Sequence, residues 1–253
     1  MEKLLWIIEI ENMEKSNTLL NEEWCKELNN VENSLLYRVL ETHTKSYTDK
    51  LLTGCYVPHE SKNVFSSFNM CPWDDLKLVI IGKPVSYPKS STGLCLGLSD
   101  KNGLKSVNSI NFEKILKKVF NDDAFKLKDK TFAKVAKQGV LFIPAQLTVS
   151  VEKGKEFTTE ALQKLWFKFV RKALNIISNK KENLVFLFLT TENVKLMSAV
   201  MNKAPNFGNR NVMYLLPGDL DSPTYNLELR DANILRSTLD YVNKNNKNDK
   251  IIW

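Results

Sequence analysis

The residues of this 253-residue chain best placed to do chemistry lie just past an apolar run. Leu78-Val79-Ile80-Ile81 ends in the turn Gly82-Lys83-Pro84-Val85. Four consecutive aliphatic residues before such a turn read as a strand buried on both faces, delivering a loop to its C-terminal end. In α/β proteins that end of the sheet is where ligands bind. A second loop after an apolar run, Leu215-Leu216-Pro217-Gly218-Asp219-Leu220-Asp221-Ser222-Pro223, carries two carboxylates two positions apart. Asp219 and Asp221 admit two readings: acids that do chemistry, or a solvated turn in which Gly-Asp and Asp-Ser are ordinary. Cys25, Cys55, Cys71 and Cys95 form no Cys-x-x-Cys pair, and His43 and His59 are the only histidines. That set predicts no zinc or other metal site, and reduced thiols of an intracellular protein. There is no Walker loop and no Gly-x-Gly-x-x-Gly.

The elements that must position these loops are legible from periodicity. Residues 17–53 read as helical, with Leu19, Leu20, Trp24, Leu28, Val31, Leu35 and Leu36 spaced by threes and fours. Val57-Pro58-His59-Glu60 breaks that run, and Val64–Phe68 reads as a short amphipathic turn. Four strand-like runs come next: Leu76–Ile81, Gly139–Ile143, Leu184–Leu189 and Val212–Leu216. Helical patterns cover about 109–120, 158–178, 192–203 and 227–243. Strands alternating with helices predict an α/β fold: a three-layer α/β/α sandwich around a four-stranded, mostly parallel sheet. The length predicts one domain over residues 1–253, with a helical region at 1–56 and an Asn/Lys-rich tail at 243–253 that ends in a docking Trp253.

Composition narrows the partners. The chain is 43% hydrophobic, with no apolar run long enough for a membrane span and no secretory leader at Met1–Glu9. An intracellular location, nuclear or cytoplasmic, is expected. The net charge is +7 and the pI about 9.1, a diffuse excess that fits a polyanionic partner.

Several blocks resemble the uracil-DNA glycosylase family. Pro72-Trp73-Asp74-Asp75-Leu76-Lys77, the strand and Gly82 are similar to its first motif, Pro-Trp-Asp-x-Leu-Lys-hydrophobic-Gly-Gln-Asp-Pro-Tyr-His. Thr92-Gly93-Leu94-Cys95-Leu96 resembles its Gly-Leu-x-Phe. Ala136-Lys137-Gln138-Gly139-Val140-Leu141-Phe142-Ile143-Pro144-Ala145-Gln146-Leu147-Thr148-Val149 resembles Ala-Lys-Gln-Gly-Val-Leu-Leu-Leu-Asn-Ala-Val-Leu-Thr-Val. Lys155-Glu156-Phe157-Thr158 is similar to Trp-Glu-x-Phe-Thr, and Ile251-Ile252-Trp253 to Ile-Asp-Trp. The resemblance covers roughly residues 20–253.

The resemblance implies a base-extracting scaffold whose polar groups have been replaced. The family's carboxylate, which supports the cationic sugar and positions water, falls at Pro84 or Val85. Its pocket-wall tyrosine corresponds to Tyr87 when Tyr87-Pro88-Lys89-Ser90-Ser91-Thr92-Gly93 is aligned with the shorter viral form of the loop, Tyr-Pro-Lys-x-x-Thr-Gly; the alternative is that Tyr87 only packs the loop. Leu96 stands where phenylalanine stacks on the flipped base, which removes a π-face worth about 1–3 kcal/mol. Pro144 replaces the uracil-reading asparagine and offers no side-chain donor or acceptor. Pro217 lies in the loop where the family has His-Pro-Ser-Pro-Leu. The implied pocket is Gly82, Tyr87, Leu96 and Pro144. The implied DNA contacts are Lys89, Ser109, Thr190, Thr191, Ser222 and the wedge position Leu220, with Ser109 and Thr191 alternatively helix N-caps.

Three functions remain in play at the sequence level. The first is a catalytically inactive glycosylase-like protein that binds DNA weakly and non-specifically, as an accessory subunit of a replication or repair complex, as in viral glycosylases that double as polymerase processivity subunits. The second is a divergent active glycosylase using Asp219, Asp221 or Gln146. The third is a protein-interaction module without nucleic-acid binding. No cofactor is expected in any of them.

Overall fold

The computed structural model describes residues 20–31, 56–57, 63–85, 91–97, 106–152, 155–201, 211–216, 218–246 and 250–253. In chain order their elements are α1 (Glu22–Val31), β1 (Tyr56–Val57), α2 (Ser66–Met70), β2 (Leu78–Gly82), α3 (Val107–Phe120), α4 (Ala133–Ala136), β3 (Val140–Pro144), β4 (Val149–Glu152), β5 (Lys155–Phe157), α5 (Glu160–Lys180), β6 (Val185–Phe188), a 3-10 turn (Thr191–Asn193), α6 (Val194–Met201), β7 (Val212–Leu215) and α7 (Leu229–Asn245).

The four apolar runs become one sheet of order β3-β2-β6-β7, with every neighbouring pair parallel. β2, β3 and β6 are buried at every position, which is why they read as unbroken apolar runs. Successive side chains point to opposite faces. Leu78, Ile80, Val140, Phe142, Val185 and Leu187 meet α3, α4 and α7. Val79, Ile81, Leu141, Ile143, Phe186 and Phe188 meet α1, α2 and α5. The result is the α/β/α sandwich that the alternation predicts. The chain passes from β2 to β3, then crosses to β6 on the other flank of β2. That reversal opens a crevice at the C-terminal ends of β2 and β6.

Smaller elements depart from the sequence reading. The described helical part of residues 17–53 is α1; its Trp24 and Leu28, and Leu20 just before it, lie in the core. Residues 32–55 lie outside the described residues. The indole N–H of Trp24 donates to the Cys71 carbonyl at 2.7 Å, and its ring meets Phe68 and Trp73 edge-on. The turn read at Val64–Phe68 continues into α2. A second, antiparallel sheet, β1-β4-β5, has no counterpart in the sequence pattern. Its longest strand has four residues, too few for alternation to stand out.

Gly139 sets the entry to β3. Its φ is +88°, and a Cβ there would lie 1.9 Å from the Asp75 carbonyl oxygen. Its own carbonyl accepts from the Lys77 and Leu78 N–H groups, which ties the starts of β2 and β3 together. At the other end of the chain Trp253 is buried against Phe112, with ring centroids 5.5 Å apart. The Gln138 side chain bonds both the N–H and the carbonyl of Ile252. Among the described residues no helix is long and apolar enough to cross a membrane.

Candidate functional site

The crevice is built by the loops at the strand exits. Gly82 ends β2, and a Cβ there would lie 2.6 Å from the Cys95 Cβ. Only glycine lets the 91–97 segment press against the strand end. The Gly82 carbonyl accepts from the Ala145 N–H at 3.1 Å and from Asn193 Nδ2 at 3.0 Å. One oxygen thus joins the exits of β2, β3 and β6. Buried Asn193 escaped the sequence reading, because a single asparagine past a strand carries no pattern of its own.

Two of the positions where the family resemblance places polar chemistry, Val85 and Pro144, are apolar and covered. Val85 is 4% exposed and packs with Val149 and Val151. Its N–H donates to the Gln146 carbonyl at 3.0 Å. Pro144, the last residue of β3, is buried, whereas Pro84 is exposed. Leu96 is 2% exposed and belongs to the core on the α3 side, a cluster separate from that of Val85. Of the expected pocket, Gly82 pairs with Pro144 across β2 and β3 and lies against the 91–97 segment that carries Leu96. Tyr87, Lys89 and Pro217 lie outside the described residues, as do His43, His59 and Cys55.

Polar groups gather one residue away. Lys83 Nζ lies 3.1 Å from Asp219 Oδ1, 3.2 Å from Asp221 Oδ2 and 3.7 Å from Glu192 Oε1. This ammonium links the loops after β2, β6 and β7. The hydrogen bond from Lys83 holds the Asp219 carboxyl below its ordinary range, against the opposing effect of burial. Burial pulls the Lys83 ammonium down, but its bonds to Asp219 and Asp221 outweigh this and raise it. Asp219 is thus a paired acid and a weakened base in a largely exposed turn.

Side chains from α3 and α7 fix the loop after β7. Asn111 Nδ2 donates to the carbonyls of Leu220 at 2.9 Å and Ser222 at 3.0 Å. Leu220 is 4% exposed and packs in the core, so it does not project as a wedge. The Ser222 hydroxyl bonds Thr224 within its own turn. The Tyr225 hydroxyl donates to Asp231 at 2.6 Å; burial, then that carboxylate, pushes its ionisation upward. Asp231 and Glu228 also form the capping box of α7.

The hydroxyls expected at phosphate or capping positions divide differently from their sequence assignment. Ser106, not Ser109, caps α3 by accepting from the Ser109 N–H. Ser109 is buried one turn in, with its hydroxyl on Ser106. Thr190, not Thr191, caps the 3-10 turn through the Glu192 N–H. Thr191 is exposed. Each cap satisfies a helix-start donor that would otherwise lack a partner.

Two further groups bear on chemistry. Gln146, directly beyond Pro144 and Ala145, is 2% exposed. Its Nε2 donates to the Thr148 carbonyl and to Thr158 Oγ1, both at 2.7 Å, while its Oε1 is buried with no partner. Cys71 and Cys95 are buried, and burial pushes both thiols far above their ordinary value, which makes them poor nucleophiles. Among the described residues no three His, Cys, Asp or Glu side chains are placed to hold a metal ion.

Comparison with known proteins places this architecture. The chain is 30% identical over 196 residues to a uracil-DNA glycosylase of Bacteroides thetaiotaomicron, covering 76% of this chain and 81% of that one. It is 28% identical over 236 residues to a uracil-DNA glycosylase of Borreliella burgdorferi, covering 90% and 96%. Its fold superposes on the crystal structure of mimivirus uracil-DNA glycosylase with a TM-score of 0.70 at 19% identity, over 93% of this chain and 87% of that one. No family model matches the chain.

Proposed function

The chain belongs to the uracil-DNA glycosylase family, and from that premise we propose that it is a member that does not excise uracil and serves as a DNA-binding accessory subunit of a replication or repair assembly. The observation that carries the reading is the pair of strand exits at Val85 and Pro144, one buried among valines and the other buried without a polar side-chain atom. Base excision needs the base out of the stack and its edge read by hydrogen bonds. It also needs charge stabilised where it develops, and losing one such donor costs about 10²–10³ in rate. A proline and a valine supply neither. Residues 1–253 act as one domain in this reading, with DNA and a protein as partners and no metal.

The test is an excision assay on single-stranded and duplex DNA containing uracil. The expected result is no uracil release above the protein-free background. A second reading, an active divergent enzyme, draws on the unpartnered Gln146 Oε1 and on Asp219 and Asp221 at the crevice mouth. Release that disappears in Gln146→Leu or in Asp219→Asn with Asp221→Asn would establish that reading and end the first. A module that binds only protein is separated from both by the absence of DNA binding at low salt.

A further inference from the structure

The solvent face of α5 carries a row of cations. Lys164, Lys168 and Lys172 succeed one another at one-turn spacing, with Arg171 beside them, and all four are exposed. At 1.5 Å per residue they occupy about 12 Å of helix. Lys164 pairs with Glu160 at 2.6 Å. Lys168, Arg171 and Lys172 have no acidic partner among the described residues. Two acids of the neighbouring α1 are engaged elsewhere. Glu27 pairs with Lys180 at 2.9 Å, and Glu23 accepts from the Trp73 and Asp74 N–H groups. Among the described residues, the crevice mouth has the opposite balance, three carboxylates around the ammonium of Lys83.

We infer that the phosphate backbone of duplex DNA docks on this face of α5. The inference rests on the DNA-binding part of the proposed function and assigns it a surface. Duplex DNA presents one charge per about 1.7 Å of axis, so about 12 Å of helix faces several phosphates. Arginine and lysine there grip backbone and carry no base readout, which suits non-specific binding. An anionic membrane is the poorer occupant. Surface helices that bind membranes bury an apolar face, and none of the exposed large hydrophobic residues among those described lies on α5.

The experiment measures binding of a uracil-free duplex by fluorescence anisotropy across a salt series. The wild type is expected to bind at low salt and weaken as salt rises. The triple variant Lys168→Gln, Arg171→Gln, Lys172→Gln is expected to flatten the log–log salt slope by about two to three units, at roughly 0.9 per phosphate no longer neutralised. Lys168→Arg with Lys172→Arg should retain the wild-type slope, and an unchanged unfolding midpoint in the triple variant shows that its fold is intact. A triple variant that binds like the wild type overturns the α5 assignment alone. No wild-type binding at low salt overturns it together with the DNA-binding role, and leaves catalytic silence to the excision assay. Wild-type binding to phosphatidylserine vesicles without binding to the duplex overturns it in favour of a membrane.

Discussion

Lys83 organises the crevice electrostatically, and its ion cluster has a pH window. The folded Asp219 carboxyl titrates below its ordinary value of 3.8. Its contribution to the loop clasp is therefore complete above that value and is lost as pH falls through the lower, folded one. Lys83 is raised above 10.5, so its contribution is complete below 10.5 and is lost as pH rises through the folded value. Between those limits the clasp is closed. Asp219 is more than half exposed, so salt screens the pair and its effect on global stability is small. The sensitive readout is local. In an NMR titration at low salt the Asp219 carboxyl is expected to titrate below 3.8, and in Lys83→Met to return to the ordinary range. An Asp219 titration unmoved by Lys83→Met would show that the contact is not maintained in solution. Lys83 and Asp219 are 136 residues apart in sequence, and no spacing rule pairs them. That Pro84, Val85 and Pro144 bring no polar side-chain atom to the strand exits was legible, because it follows from residue type alone. The cluster around Lys83 was not.

At the scale of elements, the sequence revealed most where one physical cause dominates. β2, β3 and β6 are continuous apolar runs because both faces of each are covered, and α5 declares itself by helical periodicity over 21 residues. The β4–β5 hairpin was hidden because strands of four and three residues give almost no pattern. The caps were displaced because Ser106, Ser109, Thr190 and Thr191 are equivalent as residue types, and only backbone geometry separates a cap from its neighbour. The link between α3 and the loop after β7 was equally silent, since it rests on one buried asparagine. Asn111 supplies a hydrogen bond to each of the Leu220 and Ser222 carbonyls. Asn111→Ala removes both, a loss of about 2 kcal/mol: it leaves the buried Leu220 carbonyl unpaired, whereas the Ser222 carbonyl keeps the Tyr225 N–H. Urea denaturation should show a lower midpoint, and limited proteolysis should cut first within residues 218–225. A midpoint equal to that of the wild type would mean that Leu220 packing, the Lys83 clasp and the Tyr225–Asp231 bond hold the loop without Asn111.

At the scale of the whole molecule, the sheet divides the interior into two apolar layers that share the same strands. Leu78 and Ile80 face α3 and α7, whereas Val79 and Ile81 face α1 and α5, so neither layer can lose its packing without stripping one face of β2. Trp24 is central to the second layer, and Trp253 joins the first through Phe112. If 1–253 behaves as one cooperative unit, damage to either layer lowers the same transition. Trp24→Ala and Trp253→Ala should each destabilise by about 3–5 kcal/mol, the usual range for a large aromatic removed from a core. They lie in different layers, so the double variant should be nearly additive. Trp253 Nε1 is buried without a hydrogen-bond partner, so Trp253→Phe removes an unsatisfied donor with the ring's second half and should cost much less than the alanine change. Far-ultraviolet circular dichroism and tryptophan fluorescence recorded along one urea gradient decide the matter. Coincident curves that move together in both variants indicate a single unit. A Trp253→Ala variant whose fluorescence and dichroism midpoints separate would show that the α3–α7 layer and its C-terminal tail unfold on their own, and that the shared strands do not couple the two faces.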